Sequence, residues 1–417
     1  MLFASLLLAA GSTASHLAAL PASQATADPR AGQNLVVEAD LLLVGDGTQI
    51  EDAVLVVRDG LIAAIGPRSG IEIPADFERI RAAVATPGLV DARTCVGLAG
   101  FLNVDAVNDE FDPSEPIQPE LRALDAFHPA DPLVDWVRGF GVTTMNTGHA
   151  PRGIISGTSM VVKTAGDTLA ESILEANGMV TASLGEAAQT EGGPGTRAKT
   201  VALLRQALVD GLAHPVTEDG KRDLRLEVLG QVARGERRLL ITAHRVNDLR
   251  SALRLAEEFD LDLVLDGASE AYDLLPQIRA AGVPVVVHPT MARSSGEQEN
   301  LAMTTAARLQ AAEIPIALQS GYEAYVPRAR VLLFEAAAAV RYGLDEAAAL
   351  RAITLGAAEI LGVADRVGSL EVGKHGDVAL FDGDPFETLS HCVGTIVEGR
   401  LASTGERSGF PSGVTGR

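Results

Sequence analysis

Short apolar runs separated by turn residues occupy both ends of this 417-residue chain. They lie at 35–37, 41–44, 53–57 and 61–65 near the start, and at 377–381 and 394–397 near the end. Asp59-Gly60 is a hairpin signal, because both residue types tolerate the positive φ of a tight turn. No helical pattern interrupts either group of strands. The pattern therefore predicts one small β-sandwich formed by both chain ends, over residues 28–85 together with 365–410.

Between these ends, apolar strand patterns alternate with amphipathic helical patterns. The strand candidates lie at 86–90, 142–146, 160–163, 239–242, 263–265, 283–287 and 316–318. The helical patterns lie at 196–209, 246–259, 270–281, 304–312, 331–342 and 345–355. Strands that alternate with helices through short links favour a parallel sheet. With roughly eight such units and no glycine-rich dinucleotide fingerprint, residues 86–364 are predicted to form a (β/α)8 TIM barrel, an α/β fold.

A long acidic and proline-rich segment, residues 95–132, follows the first barrel strand. Barrel enzymes carry their chemistry on the loops at the carboxyl ends of the strands. Three roles therefore stay open for this segment: an irregular surface loop, a lid over the barrel mouth or a subunit contact.

The first 27 residues are typical of a signal peptide. Leu2 to Ala10 is an apolar run, and Ala25-Thr26-Ala27 is an A-x-A cleavage pattern, although no Lys or Arg precedes the run. We therefore expect an exported, periplasmic mature protein. The run is shorter than the roughly 18 apolar residues that cross a bilayer, and no later segment reaches that length, so no membrane span is predicted.

Composition narrows the range of partners. Hydrophobic residues make up 47% and aromatic residues 4% of the chain, so the predicted core is aliphatic. The formal net charge of −21 would repel a phosphate backbone, which argues against a nucleic-acid partner. A solvated surface explains this charge, and a basic or amine-bearing ligand is the alternative. Cys95 and Cys392 are too few and too far apart for a disulfide framework, so two free thiols are expected.

Five segments resemble, in the right order, motifs of the amidohydrolase superfamily. They are LVGDGT at 43–48, DGLIAAIG at 59–66, TPGLVDARTC at 86–95, AITLGAAEILG at 352–362 and GSLEVGKHGDV at 368–378. The resemblance covers nearly the whole chain after residue 27, and its nearest branch is that of the imidazolonepropionase-like and prolidase-like amidohydrolases. It implies a barrel that hydrolyses carbon–nitrogen bonds with one or two divalent metals, which activate a bound water and polarise a carbonyl.

The resemblance also locates the positions where active relatives carry metal ligands. In this chain they are occupied by Arg93, Cys95, Thr181, Thr242, Asp266 and Gly321. None of these residues is the family ligand, and an arginine stays protonated where a metal would sit. The resemblance therefore implies a degenerate metal site and no cofactor, with a divalent metal such as zinc only if the site is rearranged.

Two arrangements at the barrel mouth stay open. Arg93 and Asp266 are predicted to form a buried ion pair that replaces the metal. Alternatively, Cys95, His244 and Asp266 could approach one another as a nucleophilic triad. His149 and His288 also follow strands, and we expect a structural role for both.

These residues lead to three functional hypotheses. The first is a pseudoenzyme, a non-catalytic binding or scaffold subunit that assembles with itself or with an active amidohydrolase paralogue. The second is a hydrolase of carbon–nitrogen bonds in dipeptides or non-peptide amides, acting through a rearranged site. The third is an exported protein that keeps a pocket for a small-molecule ligand without chemistry.

Overall fold

A computed structural model describes residues 32–101, 104–189, 193–214, 222–289, 294–322 and 332–404. The strands are, in chain order, β1 (Leu35–Leu43), β2 (Gln49–Arg58), β3 (Leu61–Pro67), β4 (Glu78–Pro87), β5 (Leu89–Thr94), β6 (Val142–Thr147), β7 (Ile155–Thr158), β8 (Met160–Lys163), β9 (Ile173–Glu175), β10 (Val180–Ser183), β11 (Leu239–Ala243), β12 (Leu263–Gly267), β13 (Val285–Val287), β14 (Ile316–Ala317), β15 (Val378–Phe381), β16 (Cys392–Val397) and β17 (Arg400–Ser403). The predicted signal peptide, residues 1–27, lies outside the described residues.

The helices alternate with the strands in the middle of the chain. They are α1 (Pro132–Arg138), α2 (Leu169–Ser172), α3 (Arg197–Ala213), α4 (Leu224–Ala233), α5 (Val246–Phe259), α6 (Leu275–Ala281), α7 (Thr305–Ala311), α8 (Leu332–Arg341), α9 (Glu346–Ala352) and α10 (Leu355–Leu361). Short 3₁₀ turns lie at Arg68–Gly70, Asp105–Val107, Ala123–Asp125, Gly185–Ala188, Ala271–Asp273 and Gly296–Gln298. None of the described helices has the length and apolarity that a bilayer crossing would need.

Strands from both chain ends share one seven-stranded sheet, in the order β17-β16-β15-β4-β1-β2-β3. The hairpin between β2 and β3 turns at Asp59 and Gly60, whose φ angles of 49° and 74° are those that the sequence predicted. Successive residues of β1 face opposite sides, so Val36 and Val37 pack in different apolar clusters. The sheet therefore buries apolar side chains on both faces and joins the two ends of the chain.

The middle of the chain forms two further sheets, ordered β14-β13-β12-β11-β10-β7 and β5-β6-β8-β9. The strands β10 to β14 are parallel to one another, as their alternation with helices predicts. In contrast, β7 pairs antiparallel with β10, and β8 pairs antiparallel with β6. The loop at 148–154, rather than a helix, precedes β7, so the chain turns back instead of crossing over.

Backbone hydrogen bonds connect these two sheets on both sides. Ala92 N donates to Leu318 O over 3.4 Å, and Gly321 N donates to Arg93 O over 3.2 Å. On the other side, only Ser159 separates β7 from β8, and Ser159 N donates to Met179 O over 2.9 Å. The result is a mixed α/β fold in which both sheets contribute side chains to a common apolar interior.

That interior begins with an aliphatic layer and continues into a polar one. Val90, Leu240, Val264, Val286 and Ala317, each from a different strand, pack together with α10. Two residues further along β11 and β12, the same faces carry Thr242 and Asp266. The strands therefore direct their polar side chains toward the carboxyl end of the sheet.

The acidic segment that follows β5 lies against β7. Within it, Pro116 O accepts hydrogen bonds from Ile154 N and Ile155 N, and Gln118 N donates to Ile155 O. Further along, Thr158 N donates to Leu121 O over 2.7 Å. This part of the segment is bound to the edge of a strand.

Candidate functional site

Arg93, at the end of β5, is completely buried. Its Nη2 donates a hydrogen bond to the backbone carbonyl of His149, and within the described part of the chain its Nε and Nη1 have no hydrogen-bond partner. The guanidinium lies against the backbone at Gly148, where an added Cβ would be 3.1 Å from Nη1. The glycine thus makes room for a cation in the interior.

Asp266, on β12, is buried and hydrogen-bonded through both carboxylate oxygens. Thr242 lies opposite it on β11, and Thr242 Oγ1 donates to Asp266 Oδ2 over 2.6 Å. Gln319, which follows β14, donates from Nε2 to Asp266 Oδ1 over 2.7 Å and to the carbonyl of Val287 over 3.1 Å. Burial raises the pKa of Asp266, and the positive charge of Arg93 opposes that rise, followed by these two hydrogen bonds.

Arg93 and Asp266 do not form the predicted direct ion pair. Within the described ranges, no nitrogen of Arg93 lies within 4.0 Å of an oxygen of Asp266. The reason is that the guanidinium is bonded to the His149 carbonyl, while Thr242 and Gln319 occupy the carboxylate. The two charges still interact through space, since Arg93 is the largest influence that lowers the pKa of Asp266.

Cys95 is also completely buried, and its Sγ donates to the carbonyl of Tyr322 over 3.1 Å. Burial raises the pKa of the thiol well above its usual value, and the carboxylate of Glu110 raises it further. Gly321, beside it, forms a parallel bridge with Thr94 and has no side chain to offer a ligand. Cys95 is therefore a thiol rather than a thiolate at neutral pH.

His244, after β11, is hydrogen-bonded away from both Cys95 and Asp266. Its Nδ1 pairs with Ser269 Oγ over 2.9 Å, and its Nε2 pairs with Gln298 Nε2 over 3.1 Å. Burial and, to a smaller extent, the nearby charge of Arg245 lower the pKa of His244 to about 4. The structure thus does not connect Cys95, His244 and Asp266 through hydrogen bonds, as a nucleophilic triad requires.

Thr181, on β10, has neutral partners. Its Oγ1 lies 2.9 Å from Ser156 Oγ and donates to the carbonyl of Gly157 over 3.0 Å. These contacts join β10 to β7. The Thr181 hydroxyl is therefore used in hydrogen bonds within the sheet, and the side chain has no ionisable group that could bind a metal.

His149 and His288, the two other histidines that follow predicted strands, are buried and neutral. His288 is 3.3 Å from Thr305 Oγ1 through Nε2 and 3.1 Å from the carbonyl of Pro289 through Nδ1. Burial lowers the pKa of His149 and of His288 to about 4, and for His149 the charge of Arg93 adds to the effect. His149 contributes to the site through its backbone carbonyl, which the sequence pattern does not reveal.

Three further residues, Gln319, Asp91 and Ser320, complete the interior network, and no sequence motif predicted a role for them. Gln319 connects Asp266 on β12 to the carbonyl of Val287 on β13. Asp91, on β5, accepts from Ser320 N over 3.1 Å and from Ser320 Oγ over 2.5 Å, and burial raises its pKa to about 6. In the sequence, Gln319 and Ser320 follow a strand in ALQSG, whereas Asp91 lies within the strand GLVDAR.

The donor set does not fit the divalent metal that the resemblance implies. In the ranges that the structure describes, no group of three or more His, Cys, Asp or Glu residues could hold a metal ion. Zinc and its neighbours bind neutral imidazoles, thiolates and carboxylates. Here the corresponding positions hold a guanidinium at Arg93, a buried thiol at Cys95, a hydroxyl at Thr242 and, at Asp266, a carboxylate already bonded on both oxygens.

Two comparisons of the sequence with known proteins both find similarity to amidohydrolases. The sequence profile described as the Amidohydrolase family matches residues 269–404. Amidohydrolase tasK from Hapsidospora irregularis is 23% identical over 371 residues, which are 80% of this chain and 37% of that protein. The chain thus spans little more than a third of the length of this curated relative.

Two solved structures are similar to this chain over most of its length and over most of their own. An amidohydrolase from Thermotoga maritima MSB8 superposes with a TM-score of 0.82 at 27% identity, over 88% of this chain and 99% of that one. The A. niger ochratoxinase superposes with a TM-score of 0.53 at 17% identity, over 89% of this chain and 96% of its own. The second similarity shows the fold alone.

Proposed function

We propose that this chain, which belongs to the amidohydrolase superfamily, is a metal-free member that acts as a non-catalytic binding or scaffold subunit. One observation carries the proposal: the guanidinium of Arg93 is buried at the position that the resemblance assigns to the first metal-binding histidine. An arginine cannot become a neutral ligand at any pH at which the protein is folded.

The positive charge of Arg93 opposes the binding of a divalent metal beside it. At a separation of about 4 Å and an effective dielectric constant of about 20, a unit positive charge and a dication repel each other by about 8 kcal/mol. The rest of the site does not offset this repulsion. Asp266 would have to give up the hydrogen bonds from Thr242 and Gln319 before either oxygen could bind a metal.

The setting of this site is also part of the proposal. We propose that β5, β6, the consecutive strands β7 and β8, and β10 to β14 close as a barrel over residues 86–364. The hydrogen bonds from Ala92 to Leu318 and from Ser159 to Met179 support closure on both sides. The shared seven-stranded sheet supports a composite β-domain from residues 28–85 and 365–410.

Location and partners are further parts of the proposal. We propose export to the periplasm, because residues 1–27 combine an apolar run with an A-x-A pattern. Edman sequencing of the mature protein tests this: a native start at Met1 would contradict it. A scaffold subunit also needs a partner, either another copy or an active amidohydrolase paralogue, which native mass spectrometry of the purified complex would identify.

The decisive experiment measures metal content and turnover together. The protein is expressed with added zinc or manganese, and bound metal is measured by inductively coupled plasma mass spectrometry. We expect clearly less than one metal per chain and no turnover of dipeptides, cyclic amides or hydantoins. A variant that restores imidazoles, Arg93→His with Cys95→His and Thr242→His, serves as the loading control. Stoichiometric metal in the unmodified protein would overturn the proposal.

One observation favours a second candidate function. The Nε and Nη1 of Arg93, which have no hydrogen-bond partner among the described residues, are donors of the kind that stabilise a developing oxyanion. They suit a hydrolase that cleaves carbon–nitrogen bonds through a rearranged, metal-free site. Chelator-resistant turnover that disappears in Arg93→Ala, while the fold is retained, would establish this alternative in place of the first.

A further inference from the structure

A separate cavity lies away from the residues of the candidate site. It has a volume of about 400 Å³ and lies between β1, β4 and α9, beside the segment that follows β15. Volumes of about 300–1,000 Å³ are typical of pockets for small ligands. None of the residues assigned to the candidate site lines it.

The walls of this cavity are mostly apolar. Leu41 and Leu43 of β1, Val84 of β4 and Leu350 of α9 face it together with Phe386. Leu41, Leu43 and Phe386 are only partly buried, so apolar surface remains open to a ligand. Covering that surface with an apolar body is favourable by about 25 cal/mol for each Å² removed from water.

The ionisable side chains among the described lining residues are acidic. Among its described lining residues the ionisable side chains are Glu346 and Asp384, both exposed, and no Lys, Arg or His accompanies them. Neither carboxylate forms an ion pair within the described part of the chain. Asp384 Oδ1 accepts a hydrogen bond from Phe386 N over 2.9 Å, which fixes the carboxylate beside the aromatic ring.

We propose that this cavity binds a small apolar molecule that carries one ammonium group. The apolar body lies against Leu41, Leu43 and Leu350, and the cation lies between Glu346 and Asp384. The ring of Phe386 offers a further surface on which an ammonium group is favoured. The net charge of −21 attracts the same class of ligand to the protein as a whole.

Three probes of the same size and different charge test the proposal. They are 3-phenylpropylamine, 3-phenylpropan-1-ol and 3-phenylpropionate, each titrated into the full-length protein by isothermal calorimetry. We expect the amine to bind most tightly, the alcohol more weakly and the carboxylate weakest. Added salt should weaken the amine and leave the alcohol unchanged, because screening acts only on charges.

Single substitutions distinguish the contribution of the two carboxylate charges to binding from the contribution of the cavity's shape. Glu346→Gln and Asp384→Asn should each weaken the amine by about two- to fivefold, as expected for an exposed ion pair, without changing the affinity of the alcohol. Leu43→Trp should fill the cavity and abolish binding of both, and its thermal transition shows whether it is folded. Phe334→Ala is the matched control, because Phe334 is 46% exposed and lines a neighbouring cavity.

Several outcomes would overturn the proposal. One is equal affinity for all three probes, and another is an amine affinity that neither carboxylate variant changes. A third is binding that appears only after residues 1–31 are removed, which would assign the cavity to the chain's own amino-terminal segment.

Discussion

Thr242 lies directly opposite Asp266 on neighbouring parallel strands, and its hydroxyl donates a 2.6 Å hydrogen bond to the buried carboxylate. Gln319 donates to the second oxygen from the far side of the same sheet. Both oxygens of the Asp266 carboxylate, which could otherwise bind a metal, therefore accept hydrogen bonds from neutral donors. The site is organised as a hydrogen-bonded core, and its charge is balanced at a distance by Arg93.

Thr242→Val should lower the free energy of unfolding by about 1–3 kcal/mol near neutral pH, because a buried carboxylate oxygen loses its donor. The pKa of Asp266, already raised by burial, should rise further. The loss should shrink on acidification, since the hydrogen bond stabilises mainly the ionised form. Urea unfolding at about pH 7.5 and about pH 5 measures both effects.

Thr181→Val is the matched control for that experiment. Its hydroxyl bonds to the neutral groups Ser156 Oγ and Gly157 O, so its cost should not change with pH in the same way. Identical pH dependence in the two variants would show that Thr242 does not act through the carboxylate.

Arg93→Met and Asp266→Asn should be energetically coupled. Removing Arg93 leaves a buried carboxylate without its nearby cation, and removing Asp266 leaves a buried cation without its anion. The double variant should therefore be less destabilised than the sum of the single variants, by about 1 kcal/mol or more. A double-mutant cycle by urea unfolding measures the difference, and additivity within about 0.5 kcal/mol would show that the two charges are independent.

Local patterns predicted the elements well where periodicity and turn chemistry agree. The helix predicted at 246–259 is α5, and its buried residues Leu249, Ala252 and Leu255 lie on one face. The strands predicted at 160–163 and 239–242 are β8 and β11 within one residue. These elements depend on residues close together in the chain, so a single sequence contains the information.

The strand directions and the contacts of the site could not be predicted in the same way. The direction of β8 depends on whether the chain before it crosses the sheet or turns back, and the loop at 148–154 has no helical pattern that decides this. The partner of Arg93 is a backbone carbonyl at His149, and every residue has such a group. The resemblance to the amidohydrolases therefore identified the positions of Arg93 and Asp266. Only the structure shows that Arg93 is bonded to the His149 carbonyl, and Asp266 to Thr242 and Gln319.

Lys163→Met should cost about 3–5 kcal/mol of stability, because it leaves Asp377 as an unpaired buried charge. The two side chains are 2% and 4% exposed and form an ion pair between β8 and the residue before β15. Arg205→Met is the control, since Arg205 and Glu258 are each 42% exposed, and that pair should contribute at most about 1 kcal/mol. Similar losses in both variants would contradict a special role for the buried pair.

Acidification from about pH 6.5 to about pH 5.5 should lower the free energy of unfolding by about 1–3 kcal/mol. His149, His244 and His288 have a pKa of about 4 in the folded protein, so below pH 6.5 the unfolded chain binds more protons. Asp91, with a pKa of about 6, acts in the opposite direction, because its folded form gains a proton first. Asp266 and Glu297, whose pKa values burial also raises, act in the same direction as Asp91, and the three histidines outweigh these carboxyl groups.

Chemical unfolding across this pH range measures the slope, and His288→Gln isolates one contribution. The variant should lose about a third of the histidine-dependent slope, since three groups with similar pKa values produce it. Stability that is constant or increases toward pH 5.5 would contradict the neutral, buried state of these histidines.

Cys95 should be unreactive in the folded protein, because a thiol that is completely buried and has a raised pKa exposes no thiolate. The variant Cys392→Ser leaves Cys95 as the single thiol of the chain, and alkylation by iodoacetamide is then followed by mass spectrometry. We expect modification of Cys95 only at the rate at which the protein unfolds, and fast modification of the same thiol in denaturant. Fast alkylation of the folded variant, with a pH–rate profile that places the pKa of Cys95 below about 8, would instead mark a nucleophile and revive the triad with His244 and Asp266.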